Sequence, residues 1–417
     1  MSRRDLLLLA AFAATVRIGY NLAFLSDYFP ISDANHYHAI ATNIAAGNGF
    51  SHPFPFPDPV PQATAFRPPL YPALLGAAYW VFGSHVFVAQ VLNIALGVGV
   101  VVLVALVAHR YAGRQAAVVA GALAAVFPPL LANDGPPLSE PLGLALLLGT
   151  VLLLGARQTT WAGLTTGLLV LTRPSAQGYA AVLAVWVLWR FGFRNALRFG
   201  ALVALVVAPW LVRNWVELGS PVLVTSNGFN LAALYSEESL EEGRWLDPVF
   251  DERLEEARRG LGSEVEMDEA FRAQAVDSLR EHPLELVERT WANIWNVTEV
   301  TPYRQDAAER FDGRNLSFRY ATFPVLWATI LLGAAGLWSL RRAPAIGPLV
   351  ISAVYFFAIT LPFSPGAPRL RAPADVALCI GVGALWVAIR RQADRAGPAD
   401  PTPAPAAAPI EEGLARR

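Results

Sequence analysis

Apolar runs long enough to cross a bilayer recur from end to end of this chain, at 6–25 and near 86–108, 115–132, 139–156, 160–172, 176–190, 196–212, 321–340, 345–361 and 372–389. A spanning helix needs about 20 consecutive apolar residues, so the pattern gives about ten crossings, with 160–172 the short one. Lipid offers no partner to an exposed peptide group, which leaves helices as the economical way to cross. The expected fold class is therefore an all-α polytopic membrane protein. Composition agrees: 54% of the residues are hydrophobic and only 16% charged, far from a soluble domain of this length. A net charge of -1 gives no basic field for nucleic acid. The single cysteine, Cys379, sits in an apolar run and excludes both a disulfide framework and a thiolate metal site.

Ser2-Arg3-Arg4 followed by Leu6 to Ala10, with Ala11-Phe12-Ala13 behind it, imitates a secretory signal. The apolar character continues to Leu25, so the segment reads as a spanning helix. Arg17 inside it is costly in lipid and is expected to pack toward neighbouring helices. Leu70 to Phe82 is too short to cross and, with Tyr79 and Trp80, reads as an interfacial or re-entrant helix.

Positive residues in short loops mark the cytoplasmic side. Arg3 and Arg4, Arg110 and Arg114, Arg157, Arg190 with Arg194 and Arg198, Arg341 and Arg342, and Arg390 with Arg391 all fall on one side. Both termini are then cytoplasmic. Residues 26–85, the loop 133–138, the turn at Arg173, the stretch 213–320 and the loop 362–371 lie on the opposite face. The expected organisation is a transmembrane catalytic module over 1–212 containing the first outer loop 26–85, a partly helical outer segment over 213–320, closing helices over 321–390, and a disordered cytoplasmic tail over 391–417. In the outer segment Phe271, Ala275, Leu279 and Leu286 repeat with helical spacing, interrupted at Pro283. The tail carries a Pro/Ala-rich tract at 397–410 that cannot bury a core.

The outer face holds the candidate chemistry. Asp33 and Tyr37 are four apart and share one face of a short helix that follows Pro30. Asp33 reads either as a helix cap or as a general base. His36 and His38 point to different faces and read as polar surface residues. Arg67, braced by Pro68-Pro69, stands at the start of the interfacial helix, where guanidinium and helix N-terminus both favour phosphate. Ser139-Glu140-Pro141 puts a carboxylate at the outer end of a span, costly enough to need a function, a partner or a helix dipole. Arg173 ends another span on the same face and could pair with Glu140, whereas Asp134 reads as a loop residue. Arg369 and Arg371 lie in the last outer loop against the charge rule and suggest anion binding.

In this order the residues resemble glycosyltransferase family 39: Asp33-x-x-x-Tyr37-x-x-x-Ala41, Gly47-x-Gly49-Phe50, Arg67-Pro68-Pro69-Leu70-Tyr71-Pro72, Phe127-Pro128-Pro129, Ser139-Glu140-Pro141, Pro209-Trp210 with Arg213-Asn214, Thr225-Ser226-Asn227-Gly228-Phe229-Asn230-Leu231 and Arg369-Leu370-Arg371-Ala372-Pro373. The family comprises bacterial relatives of protein O-mannosyltransferases and of the aminoarabinose transferases that act on lipid A, and the likeness runs from about residue 15 to 390. The resemblance implies a GT-C-type helix bundle with juxtamembrane helices in its first outer loop. It also implies an enzyme of the bacterial inner membrane that transfers sugar from a polyprenyl-phosphate donor, with inversion, to a lipid, glycan or protein acceptor. Asp33 would be the base and Glu140 a second catalytic carboxylate that orients groups or helps to hold a divalent metal, the one cofactor left open. Arg67, Arg369 and Arg371 would hold the donor phosphate, with Tyr37, Arg173 and Asn227 contacting substrate. Ala34 follows Asp33 where many protein mannosyltransferases have a second acid, which favours the loosely defined bacterial branch. Two rivals stay open: a different GT-C enzyme, such as an arabinofuranosyl or oligosaccharide transferase, which would share the mechanism and differ in donor, and a lipid-linked sugar transporter or flippase, which would not require the outer loop with its acid and Arg-Pro-Pro helix. No internal repeat supports the transporter class.

Overall fold

The computed structural model describes residues 1–52, 62–248, 262–301, 313–343 and 346–395. Among them the chain is almost wholly helical. It opens with α1 (Arg3–Phe24), α2 (Asp33–Ala45), α3 (Leu70–Phe82), α4 (Val86–Val126), α5 (Pro128–Ala132), α6 (Glu140–Gly155), α7 (Thr159–Val170), α8 (Ala176–Phe191) and α9 (Phe193–Leu218). There follow α10 (Asn227–Tyr235), α11 (Glu237–Glu241), α12 (Glu264–Glu281), α13 (Leu284–Val297), α14 (Leu316–Ser339), α15 (Gly347–Phe363), a 3-10 turn (Pro368–Arg371) and α16 (Ala372–Arg395). One antiparallel pair, β1 (Ser51–His52) and β2 (Gln62–Ala63), aligns Ser51 with Ala63 and His52 with Gln62.

Five of these helices are long and apolar enough to cross a membrane, and shorter apolar helices lie among them. All the expected apolar runs are helical. The run at 86–108 and that at 115–132 as far as Val126 form one helical stretch broken at Gly113, whose φ of 86° only glycine adopts without strain. A broad apolar surface, including Leu8, Leu22, Leu205 and Leu331, faces outward. Such a surface is untenable in water and natural in lipid. The chain is a multi-pass membrane protein.

Helix α4 is the hub, packed against α1, α6 and α16. Lipid supplies no hydrophobic drive for helix association, so close backbone approach carries the packing. Where α14 meets α16, a Cβ on Gly336 or Gly381 would run into the opposite backbone. At the hub, Arg17 and Asp134 are both buried and form an ion pair of 2.6 Å, with Arg17 also donating to the Ala125 carbonyl at 3.1 Å. Arg17 thus packs inward as expected. Asp134 is not a plain loop residue, because it neutralises that arginine.

In the stretch 213–320, α9 runs past residue 212 to Leu218. Phe271 and Ala275 are buried on α12, and Pro283 separates α12 from α13. Helix α3 buries Tyr71, Leu75 and Tyr79 against α2 and leaves Trp80 and Phe82 exposed, the asymmetry of an interfacial helix. The tail expected from 391 continues α16 to Arg395, and beyond that it lies outside the described residues.

Candidate active site

Asp33 opens α2 directly after Ser32, a non-glycine residue held at a φ of 53°. Such backbone costs about 1–3 kcal/mol and persists only where its surroundings fix it. Asp33 is not the cap of α2; Ser32 holds the cap position without a side-chain bond. Both Asp33 carboxylate oxygens instead accept from guanidinium groups, Oδ1 from Arg67 and Oδ2 from Arg369.

Arg67 is held from several sides. Its Nη2 also donates to His36 Nδ1 at 2.8 Å, and its guanidinium lies 4.9 Å from the Phe66 ring centre and 5.8 Å from that of Tyr37. His36 is therefore no idle surface residue, since Nδ1 must be unprotonated to accept this bond. His38 likewise has a partner, the Tyr79 hydroxyl at 2.7 Å. The segment leading to Arg67 is clamped by Arg213 and Glu264. Glu264 accepts from the Ala65 amide at 2.6 Å and the Thr64 hydroxyl at 2.7 Å, while Arg213 donates to the Thr64 carbonyl at 2.7 Å and the Phe50 carbonyl at 2.9 Å.

Glu140 opens α6 and is buried. Its Oε1 accepts from Arg369 Nη1 at 3.2 Å and lies 3.2 Å from Arg173 Nη1 in an ion pair, and Oε2 has no hydrogen-bond partner among the described residues. The expected Glu140–Arg173 pair is thus present. Tyr37 lies beside Arg67, its hydroxyl 3.3 Å from Ser139 Oγ and its ring edge-on to Tyr71. Asp33, Tyr37, Arg67, Glu140, Arg173 and Arg369 consequently form one cluster, drawn together from five segments.

Among the described residues three guanidinium groups face two carboxylates here, a balance that suits an anionic ligand. Burial alone would raise the Asp33 carboxyl, but Arg67 and Arg369 outweigh it and hold it well below the usual carboxylate range. Burial, with Arg67 and His52 adding to it, keeps His36 neutral far below its ordinary value. Burial pushes the Tyr37 phenol up.

Two expected site residues lie elsewhere. Arg371 turns away from Arg369 and is buried against Asp375 at 2.7 Å and Glu299 at 3.6 Å. Its guanidinium is thus buried and already paired with two carboxylates. Asn227 is exposed in the first turn of α10, and no hydrogen bond joins it to the cluster. A divalent metal fits the cluster poorly. Its two carboxylates already serve arginines, and no group of three His, Cys, Asp or Glu among the described residues could hold an ion. His36 and Glu264 were not legible as site residues. Glu264 acts on a partner 199 residues away, and a spacing signal cannot cover that distance.

No known family profile and no curated protein sequence matches the chain. Solved structures do. The oligosaccharyltransferase AglB of Archaeoglobus fulgidus, with an inhibitory peptide and a dolichol-phosphate, aligns at a TM-score of 0.54 and 19% identity over 95% of this chain and 52% of AglB. The same oligosaccharyltransferase in complex with Zn and sulfate aligns at 0.52 and 20% identity over 94% and 50%. ArnT from Cupriavidus metallidurans in the apo state aligns at 0.41 and 14% identity over 91% and 77%. Likeness to AglB at this identity defines the fold, a GT-C-type membrane helix bundle. The chain spans about half the length of AglB.

Proposed function

We propose that this chain is a membrane glycosyltransferase that moves a sugar from a polyprenyl-phosphate-linked donor to an acceptor hydroxyl, with inversion at the anomeric carbon. One observation carries the reading: Asp33, in a cluster of three arginines and two acids, is masked by the two arginines that an anionic donor would recruit.

The donor phosphate competes with Asp33 and Glu140 for Arg67, Arg369 and Arg173. As guanidinium groups turn to the phosphate, Asp33 loses the charges that depress its proton affinity and becomes a base only when donor is present. The acceptor oxygen then attacks the anomeric carbon while its proton passes to Asp33. The new C–O bond forms opposite the breaking bond to the phosphate oxygen, and polyprenyl phosphate departs with the bonding electron pair. Arginines holding that oxygen stabilise the charge that develops there, which removes the need for a general acid. Glu140 keeps Arg173 and Arg369 positioned, and Tyr37 lines the donor side. Arg371 supports Arg369 through their shared turn, and Asn227 is available to a substrate from the outer segment.

Chemistry and topology together suggest a bacterial plasma-membrane enzyme with cytoplasmic termini, its site opening outward. The catalytic module is then 1–212 with help from Arg369, and 213–320 braces Arg67. The acceptor is a glycolipid, a polysaccharide or a protein. The test uses purified full-length chain in proteoliposomes, radiolabelled polyprenyl-phosphate sugars and envelope extract as acceptor. Label should leave the lipid for an acceptor with the wild-type chain and remain on it with Asp33→Asn. A wild-type chain that only carries labelled lipid across the bilayer, without transfer, would establish the flippase instead.

A further inference from the structure

Helix α9 is a peripheral span. It is long and apolar enough to cross a membrane, packs on α7 and α8, and buries only Phe199, Trp210 and Asn214. Near one end Arg213 holds the segment leading to Arg67. Near the other, Arg198 lies 15 residues away, about 22 Å at the rise of an α-helix, and so on the membrane face opposite the Asp33 cluster. Arg194 precedes it by four positions, and Arg190 stands in the last turn of α8, across the bend at Gly192. All three arginines are exposed. Among the described residues none of them has a carboxylate partner, and the sequence has no Asp or Glu between Glu140 and Glu217.

Position makes these charges more than a solvated rim. From Phe199 to Val212 the helix carries no charge, so Arg198 marks the depth at which hydrocarbon gives way to headgroups. Phe193 and Leu197, 70% and 61% exposed, stand four apart on one outward stripe, and Arg194 and Arg198 stand four apart on the stripe beside it. We propose that the bend between α8 and α9 binds an anionic phospholipid, its phosphate between Arg194 and Arg198 with Arg190 alongside, and its acyl chain along Phe193 and Leu197. Guanidinium pairs favour phosphate, and the apolar stripe gives the chain a surface to follow. A zwitterionic headgroup matches less well, because its ammonium adds a positive charge where no acid of α7, α8 or α9 up to Val216 can answer it.

Native mass spectrometry of the full-length chain in neutral detergent tests the assignment, with phosphatidylglycerol and phosphatidylethanolamine of matched acyl chains added at equal concentration. The wild-type chain should prefer phosphatidylglycerol about tenfold, the order of one charge-assisted bond. Arg194→Gln combined with Arg198→Gln should abolish that preference. Each single substitution should lower it about threefold, so the test survives a double variant that fails to fold. Arg341→Gln combined with Arg342→Gln removes the same charge from the turn after α14, where Arg341 already donates to the Trp338 carbonyl at 2.9 Å, and should keep the preference. Equal retention of the two lipids by the wild type would mean that the arginines are answered from elsewhere in the chain. That result would overturn the proposal, as would an unchanged preference in the Arg194 and Arg198 variants. An equal loss from the Arg341 and Arg342 variant would reduce the effect to diffuse charge and overturn it too.

Discussion

Arg369 and Arg371 leave the same 3-10 turn and enter opposite surroundings. Arg369 bridges Asp33 and Glu140 in a cluster that solvent still reaches, the Asp33 side chain being 25% exposed. Arg371 is sealed with Asp375, at 1% and 0% exposure, and also reaches Glu299. A sealed ion pair gains little over its desolvation cost but is expensive to break, whereas an accessible one can exchange its partner for a ligand. Two arginines that look equivalent in sequence therefore differ: Arg371 holds the turn, and Arg369 is the one we propose offers a guanidinium to an anion.

The comparison can be broken in several ways. The largest expected effect is on turnover: Asp33→Asn should lower sugar transfer by a factor on the order of 10²–10⁴ without unfolding the chain. Next, Arg371→Ala should cost about 3–5 kcal/mol of stability, read as a lowered unfolding temperature in detergent, because it strands the buried Asp375. An Arg371→Ala chain with unchanged melting and a raised donor KM would reverse the roles assigned to the two arginines. Arg67→Ala should raise donor KM or lower kcat by about tenfold or more. Arg157→Ala, exposed beyond the far end of α6 from Glu140, should do neither.

The smallest effect concerns pH. His36 is held neutral well below its ordinary value. The unfolded chain therefore binds the extra proton first as pH falls, and stability declines below about pH 6.5. His36→Gln should flatten that acid-side slope in a series of melting curves. An unchanged slope would mean that Arg67 does not need a neutral acceptor beside it.

Hydrophobic periodicity carried most of the fold, because lipid forces apolar runs into helices. The same signal made the candidate site legible in part. Asp33, Arg67, Glu140 and Arg173 each break an apolar or loop pattern at a helix end, and Glu140 does pair with Arg173. Arg371 broke the pattern just as visibly, but the acids that absorb it lie on α16 and after α13, so no local rule could separate it from Arg369. His36 was misread because helical phase showed only that it faces away from His38. That its face meets Arg67, 31 residues on, is a property of how α2 packs on α3.

The central claim is that the Asp33 carboxylate and the donor phosphate compete for the same arginines. Binding of undecaprenyl phosphate to Asp33→Asn, measured beside its transfer rate, tests this directly. Competition predicts that the variant binds the lipid phosphate at least as tightly as the wild type while its transfer collapses. Weakened binding together with wild-type transfer would contradict it.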